Sequence, residues 1–285
     1  MSSRRGFTLV ELLIACLLLV MVGGVMYNLL ITVQRVSGRQ TSLSNMQGNL
    51  RGGMQLIESE LQELATYSGA ATTDINSMSA SLIDYNAMRG LGETCGVTPT
   101  TVQIRQSSYT GVRDPVASAE QLLLYVDHDS TQTTDDTWVP LAITAVGNGT
   151  CSTGAATASW DLTVALPLTA AQIADSIPVP GLVRTLERME IGKVTDSGND
   201  WLGIRSVTAG EATLVPVVGP LTTNGLAFTY YDGAGTATGV PSAVKTIVVK
   251  LRGISADLVH TGMGSGVGNP TDSLVIRVQL RNSRN

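Results

Sequence analysis

Four aspartates that lie close together in the chain could supply oxygen ligands to a cation. Asp127 and Asp129 flank His128, and Asp135 and Asp136 follow shortly afterwards. A hard cation such as Ca²⁺ takes roughly six to eight such oxygens. The segment has neither the ligand spacing nor the glycine of an EF-hand loop. We therefore favour a polar hairpin at this position, with a calcium site built from the four aspartates as the weaker alternative.

Residues that commonly carry out catalysis are few and scattered. The chain has two histidines and three cysteines, which is too few for a zinc site with several ligands. His128 and His260 have no nucleophile at a recognisable spacing, and no G-x-S-x-G elbow occurs. The glycine-rich segment 262–268 precedes Asn-Pro and a strand rather than a helix, which favours a hairpin loop over a phosphate loop. The sequence predicts neither a cofactor nor an enzyme.

The composition narrows the class of protein further. The chain has 285 residues and a net charge of −5, with 14 % charged and 43 % hydrophobic residues. Charged residues make up about 25 % of an average globular protein. The acidic balance argues against a nucleic-acid-binding protein with a large basic surface. The hydrophobic content argues against a disordered chain, and the length allows one or two domains with a substantial core.

One carboxylate lies inside a long apolar segment near the N-terminus. Glu11 is the only charged residue from Phe7 to Ile31. As a helix, this segment would extend for about 37 Å, which exceeds the thickness of a bilayer core, about 30 Å. A carboxylate at membrane depth costs about 3 kcal/mol, so Glu11 is expected to be protonated or to await a cation. Cleavage after Gly6 would create a free amine on Phe7, at the start of the helix.

Two other interpretations of this N-terminal segment remain open. A secretory signal peptide has an apolar region of about 7–15 residues that ends at a small-x-small cleavage site. The apolar segment here is longer, and no such site follows it. Leu13–Cys16 matches the pattern of a lipobox, which would make the chain a lipoprotein. A lipobox, however, lies at the C-terminal end of the apolar region, whereas here mostly apolar residues continue beyond Cys16.

The segment Arg4–Ala15 resembles the processing and methylation motif of type IV prepilins and type II secretion pseudopilins. It consists of a short basic leader, Gly6, Phe7, three further residues, Glu11 and a long apolar helix. The resemblance implies that residues 1–6 are a leader and that prepilin peptidase cleaves between Gly6 and Phe7. It also implies that the enzyme then N-methylates Phe7. During assembly, Glu11 would pair with the Phe7 amine of an adjacent subunit.

The helical pattern continues beyond the apolar segment. Residues 32–67 contain no proline, and their apolar positions recur three or four apart, as on one face of an amphipathic helix. This pattern predicts one helix from about Thr8 to Tyr67. Its first part, over 7–31, would be the transmembrane or filament-core segment, and its second part would be an amphipathic continuation.

The remainder of the chain predicts a β-rich domain. Residues 68–100 are rich in Ser, Thr, Ala and Gly and predict a linker. Over 101–285 the period changes to that of strands, with one short helix at Ala170–Ser176. The predicted fold class is α+β, with a long N-terminal helix packed on a mostly antiparallel β-domain, which is the layout of pilins. The predicted strands are Thr101–Arg105, Gln121–Asp127, Trp138–Val146, Ala158–Leu166, Leu182–Val194, Trp201–Val207, Ala212–Val218, Leu226–Tyr231, Val244–Arg252 and Ser273–Leu280.

The C-terminal part carries a second, less specific resemblance. Gly225–Asp232 precedes a glycine-rich turn, and the strand Lys245–Gly253 and the terminal Leu280–Asn282 follow. This pattern is similar to that of the larger PilW-like minor pilins and of the J-type minor pseudopilin. The similarity implies a minor rather than a major subunit.

A periplasmic domain, as the resemblance implies, would favour a disulfide between Cys95 and Cys151. Closing that loop would stabilise the fold by roughly 4 kcal/mol. Two free thiols are the alternative, expected only for a cytosolic domain. Cys16, in the apolar segment, is expected to act as a small packing residue.

These observations predict a minor pilin or pseudopilin that assembles into a type IV pilus-like filament. The expected partners are other pilin subunits, the prepilin peptidase, an inner-membrane assembly platform and the lipid bilayer, with no nucleic acid. The expected location is the inner membrane, with a single span and a periplasmic C-terminal domain. One alternative is a filament-borne or membrane-anchored module that binds a surface, a secreted protein or DNA. The other is a periplasmic lipoprotein.

Overall fold

The structure is a computed structural model of the chain. It describes residues 8–65, 73–127, 131, 136–260 and 266–280. The chain divides into two compact units. The first unit comprises Met1–Gly48 and Ile254–Asp272, and the second comprises Asn49–Gly253 and Ser273–Asn285.

A single long helix, α1, spans Leu9–Gln62. No proline interrupts this segment, so the backbone hydrogen bonds can run through it without a break. Just past its end, the backbone N–H of Ala65 donates to the Asp74 carboxylate at 2.7 Å. The predicted long N-terminal helix is confirmed, although it ends before Tyr67, which lies outside the described residues.

Strands occupy most of the remaining described chain, together with one short helix. They are β1 (Ile75–Met78), β2 (Leu82–Thr98), β3 (Thr101–Arg105), β4 (Thr110–Gly111), β5 (Gln121–Val126), β6 (Thr137–Ala142), β7 (Ala145–Thr150), β8 (Ala158–Thr163), α2 (Ala170–Ser176), β9 (Leu182–Asp196), β10 (Asn199–Ser206), β11 (Val215–Tyr231), β12 (Thr246–Ile254), β13 (Val259–His260), β14 (Val267–Gly268) and β15 (Thr271–Gln279).

Most of the described strands form one large sheet, whose main path is β15-β12-β11-β10-β9-β2-β3-β8-β7, whereas β13 and β14 pair separately. Successive pairs from β12 to β7 are antiparallel. At the centre β2 pairs with β9, from Leu82 opposite Gly192 to Glu93 opposite Leu182. Strand β5 also pairs with β9, and β6 pairs with β5. The predicted α+β, pilin-like class is confirmed.

Two groups of buried apolar residues stand out among the described residues of the second unit. Leu50, Met54, Ile57 and Leu61, spaced three or four apart on α1, are buried along one face of the helix. A methyl group added at Gly53 would come within 2.9 Å of the Val218 side chain on β11, so only glycine allows this approach of helix and sheet. A separate cluster lies around α2 and consists of Val102, Ile104, Leu122, Leu124, Val126, Leu141, Ile143, Leu162, Val164, Ile173, Ile177 and Val183.

The first unit contains the N-terminal part of α1 and the antiparallel hairpin of β13 and β14. The hydroxyl groups of Ser42 and Ser255 share a hydrogen bond, and both residues are buried. Gln47 donates from Nε2 to the Asp272 carboxylate at 2.8 Å. Polar side chains therefore contribute directly to the contacts of α1 within this unit.

The prediction of a linker over 68–100 is wrong for most of that range. It holds β1 and the long central strand β2. The sequence of β2 does not show the usual alternation of apolar and polar residues, because this strand buries polar residues such as Asp84 and Thr94 as well as the apolar Ile83 and Tyr85. Such residues can be buried because they find partners on distant strands. Arg188 of β9, for example, donates to both oxygens of the Asp84 carboxylate at 2.6–3.2 Å.

Two strand boundaries also differ from the predictions. The predicted strand Trp138–Val146 is two strands, because β6 pairs with β5 whereas β7 pairs with β8. The predicted strands Ala212–Val218 and Leu226–Tyr231 belong to one long strand, β11, whose register shifts between Leu221 and Leu226. In contrast, β3 and α2 have the predicted bounds.

Candidate functional site

The carboxylate of Glu11 closes the first turn of α1. The backbone N–H and the hydroxyl of Thr8 both donate to Glu11 Oε2, at 3.0 and 3.1 Å. The backbone N–H of Glu11 donates in return to the Thr8 hydroxyl at 3.3 Å. This reciprocal arrangement is a capping box, which satisfies N–H groups that the start of a helix otherwise leaves without partners.

The capping box accounts for one oxygen of the Glu11 carboxylate. Oε1 has no hydrogen-bond partner within the part of the chain that the structure describes. The carboxylate is thus held in place at the helix start while one oxygen is available to accept from a further donor. The amino-terminal end of a helix also favours a negative charge through its dipole.

The helix segment that follows Glu11 presents an almost continuous apolar surface. The large apolar side chains from Leu9 to Val36 are exposed except that of Ile31, which is half-buried, and the exposed fraction reaches 78 % at Leu9 and 74 % at Leu19. Among the described residues, α1 is the helix long and apolar enough to cross a membrane, and none of its most apolar window is buried in the chain. Contiguous apolar surface of this extent marks a membrane-facing or protein-binding surface.

Two adjacent glycines lie on this exposed segment. A methyl group added at Gly23 or Gly24 would meet nothing within 4 Å inside the chain. Intramolecular packing therefore does not require glycine here. Small residues let the backbones of neighbouring helices approach one another closely, so another helix could approach α1 closely at these positions.

The predicted cleavage and methylation residues, Gly6 and Phe7, lie outside the described residues. The structure places Thr8 and Glu11 together at the start of α1, immediately after them. Cys16, the residue on which the lipobox alternative depends, is a free and exposed cysteine within α1.

Cys95 and Cys151 form a disulfide with an S–S distance of 1.99 Å. It joins the end of β2 to the residue after β7, and both cysteines are buried. The carbonyl oxygen of Cys95 also accepts from the backbone N–H and the hydroxyl of Thr153, at 3.0 and 2.8 Å. The disulfide therefore lies in a hydrogen-bonded junction between two segments that are 56 residues apart.

The four aspartates considered as calcium ligands are only partly described. Asp129 and Asp135 lie outside the described residues. Asp127 directly follows β5, and Asp136 directly precedes β6. In the described ranges no three His, Cys, Asp or Glu side chains are grouped so that they could hold a metal ion.

The sequence did not predict a network of charged residues, most of them largely buried, that joins the end of α1 to β2 and β9. Arg89 on β2 donates to Glu60 of α1 at 3.2 Å and to Glu187 of β9 at 2.7 Å. Arg113 extends the network from Glu187 to Glu120, at 3.0 and 2.9 Å. No sequence signal could have joined these residues, because the partners Arg89 and Glu187 are 98 residues apart.

The two inner carboxylates of this network respond differently to burial. Burial raises the pKa of Glu120, and the neighbouring Arg113 only partly opposes it. Burial alone would also raise the pKa of Glu187. Hydrogen bonds from Ser206 and Arg89, together with the charges of Arg89 and Arg113, instead hold this pKa below its usual value. Glu187 is therefore the well-compensated anion of the network.

Comparison with known families identifies the N-terminus. Residues 1–27 match the family model described as the prokaryotic N-terminal methylation motif. No curated protein and no solved structure matches the chain. The motif and the apolar helix that follows it support the class of type IV prepilins and pseudopilins.

Membership of this class has general implications for the binding partners, the role and the cellular location of the protein. The pilin motif implies, in general terms, interaction with other pilins and with a prepilin peptidase. It points to a structural subunit rather than an enzyme. The N-terminal helix is consistent with single-pass anchoring in the inner membrane.

Proposed function

We propose that this chain is a minor pilin or pseudopilin subunit that assembles into a type IV pilus-like filament through α1. The observation that carries this proposal is the largely exposed apolar surface of α1 from Leu9 to Val36, which begins within the matched methylation motif. Such a surface is stable only in lipid or against other apolar helices. In a filament, neighbouring copies of this segment would cover one another.

The proposed path begins with cleavage between Gly6 and Phe7 and N-methylation of Phe7. Phe7 is four residues before Glu11, so in a continuous helix the new amine would lie about one turn from Glu11 of the same chain. In the filament, the amine of an adjacent subunit would reach the available oxygen of Glu11. In a medium of low dielectric constant this pairing is favourable, because an unpaired buried charge is costly.

The remaining chain would lie outside the cytoplasm, in the periplasm and then on the filament. Its disulfide supports this location, because disulfides persist in oxidising compartments and are rare in the cytosol. Assembly would require an inner-membrane platform that extracts α1 from the bilayer.

The test is the N-terminus of the protein isolated from its native membrane, measured by intact mass and by mass spectrometry of the terminal peptide. The proposal predicts a chain that begins at N-methylated Phe7. A chain that begins at Met1 would instead identify a plain membrane-anchored protein. A chain that begins at a lipidated Cys16 would identify a lipoprotein, and either result contradicts the proposal.

A further inference from the structure

A cleft of about 410 Å³ lies in the second unit, at the face of β1, β2, β5, β6 and β9. Its volume falls within the range of sites for small ligands, about 300–1,000 Å³. Its lining combines polar and aromatic side chains with buried leucines. We name it the Trp138 cleft, and its lining includes Asp74, Asn86, Gln121, Trp138 and Arg184, with Leu123 and Leu186 as buried apolar residues.

The register of three strands brings the aromatic and cationic groups of the cleft to one face. Leu123 on β5 lies opposite Arg184 of β9, and Tyr125 lies opposite Trp138 of β6. Directly opposed residues share a face of the sheet. Leu123 and Tyr125 are two positions apart on one strand and therefore point to the same side.

Arg184 is the distinctive group of the Trp138 cleft. Its guanidinium carbon lies 4.8 Å from the centre of the Trp138 ring, and Tyr125 supports that ring edge-on at 5.4 Å. Within the described residues Arg184 makes no ion pair. A guanidinium stacked on an indole keeps its N–H edge available and can bind a carboxylate through two parallel hydrogen bonds.

Arg188, the other cation in the lining, is already engaged. It donates three hydrogen bonds to the Asp84 carboxylate. Because Asp84 neutralises Arg188, the remaining charged groups of the lining are Arg184 and Asp74. Burial raises the pKa of Asp74 to about 6, and the charge of Arg184 partly opposes this shift. Arg184 is therefore the cation of the Trp138 cleft that no carboxylate pairs with among the described residues, and it is the candidate donor to an anionic ligand.

Two amides of the lining can recognise hydroxyl groups. The Asn86 carbonyl oxygen accepts from Asn76 Nδ2 at 3.0 Å, which holds the Asn86 amide in place. The Asn86 NH₂ group and the side-chain amide of Gln121 have no partner in the part of the chain that the structure describes. Side-chain amides both donate and accept, as hydroxyl groups require.

We propose that the Trp138 cleft binds an acidic sugar, that is, a sugar ring that carries a carboxylate. The carboxylate would bind Arg184, and the ring hydroxyls would bind Asn86 and Gln121. The apolar face of the ring would lie against Leu123 and Leu186. A simple anion would make no use of the side-chain amides or of the leucines. A neutral sugar would leave the guanidinium of Arg184 without an anionic partner. This proposal stands independently of filament assembly.

The test is calorimetric titration of the full-length chain in detergent micelles with D-glucuronate and a short galacturonate oligomer, and with D-glucose as the neutral counterpart. Glucuronate should bind, and glucose should bind at least about tenfold more weakly, because a hydrogen-bonded charge is lost. Arg184→Gln should weaken glucuronate binding at least about tenfold and leave glucose binding nearly unchanged.

The matched control is Arg277→Gln. Arg277 also lies over an aromatic ring, that of Tyr231 at 5.7 Å, but it is not in the lining of the Trp138 cleft. This variant should bind glucuronate as the parent chain does. Gln121→Ala provides a second variant if Arg184→Gln does not fold, and it should weaken both sugars.

Three results would overturn the proposal. Equal affinity for glucose and glucuronate would remove the role of Arg184. Glucuronate binding that neither Arg184→Gln nor Gln121→Ala weakens would place the ligand elsewhere. Binding of an acetylated Glu-containing peptide as tight as that of glucuronate would show that the cleft recognises a carboxylate without the sugar.

Discussion

At the scale of single residues, Glu11 has a local role in addition to the one expected in a filament. Its carboxylate closes a capping box with Thr8 in the single chain, through one oxygen only. The second oxygen accepts no hydrogen bond from the described residues, so it could accept one from an amine. The same side chain can therefore stabilise the helix start in the membrane and pair with a neighbouring subunit later.

Replacing Glu11 by Ala should leave membrane insertion intact and strongly impair filament incorporation. The change removes a charge from the apolar segment, which favours insertion, but it leaves the neighbour's amine without its partner. Losing one member of a buried ion pair costs about 3–5 kcal/mol. The measurement is the ratio of filament-bound to membrane-bound protein.

Glu58→Ala is the control for this variant, because Glu58 also lies on α1 but outside the apolar segment. It should incorporate normally. Unchanged incorporation of Glu11→Ala would refute the pairing.

Asp74 makes the stability of the second unit depend on pH. Burial raises the pKa of Asp74 to about 6 from its usual 3.8, while the hydrogen bond from Ala65 and the charge of Arg184 partly oppose this. Because the folded-state pKa is the higher one, the folded state binds the proton more tightly. The stabilising contribution is complete below the unfolded pKa and is lost as the pH rises through about 6.

Asp74→Asn should therefore raise the free energy of unfolding at pH 8, by up to about 3 kcal/mol if the full pKa difference is realised. The amide keeps an oxygen that can accept from Ala65. At pH 4 the variant and the parent chain should differ little, because Asp74 is then largely protonated in the folded state. Urea denaturation at both pH values measures this.

The control for Asp74→Asn is Asp175→Asn, which changes an exposed aspartate on α2. It should show no such difference between the two pH values. A destabilised Asp74→Asn at pH 8 would mean that the negative charge of Asp74 supports the fold rather than opposing it.

At the scale of elements, α1 meets different surroundings along its length. Its first part exposes an apolar surface, whereas its last turns bury Ile57 and Leu61 and contribute Glu60 to the charged network. Glu60 accepts from both Arg89 and the Tyr85 hydroxyl on β2. The end of the helix is thus joined to the central strand by polar contacts as well as by apolar packing.

Arg89→Ala should lower the free energy of unfolding by about 3–5 kcal/mol, because Glu60 and Glu187 would lose their shared cation. Chemical denaturation of the full chain measures this. Lys193→Ala is the matched control, because Lys193 pairs with Asp200 at a more exposed position. The control should cost less than about 1 kcal/mol. An equal decrease in the free energy of unfolding for the two variants would show that the Arg89 network stabilises the fold no more than an exposed ion pair does.

At the scale of the whole molecule, the disulfide joins strand β2 to the segment that follows β7. Cys95 lies near the end of β2, in the part that pairs with β3, whereas Cys151 follows β7 at the edge of the sheet order. The bond restricts the unfolded chain, which is the main source of its stabilising effect in the chain-entropy account.

Replacing both Cys95 and Cys151 by Ser should lower the free energy of unfolding by up to about 4 kcal/mol. A reductant should destabilise the parent chain in urea denaturation and leave the double variant unchanged. Cys16→Ser should match the parent chain, because Cys16 is a free cysteine on exposed α1. A parent chain insensitive to complete reduction of the disulfide would contradict this expectation.

The N-terminal helix and most strands could be predicted from the sequence, because their signals are local. The apolar segment, the absence of proline and the spacing of apolar residues define α1 within one stretch of chain. The Thr8–Glu11 site is local as well, since its members are three residues apart. Alternation along Ser273–Leu280 located β15 for the same reason.

Only the tertiary structure decided the place of β2, the charged network and the Trp138 cleft. Polar residues such as Asp84 and Glu187 are buried because distant arginines neutralise them, so their stretches of sequence lack the usual apolar period. The cleft likewise depends on the register of β5 with β6 and β9. Local patterns report which side of an element is apolar, whereas the pairing of remote strands decides which polar groups meet.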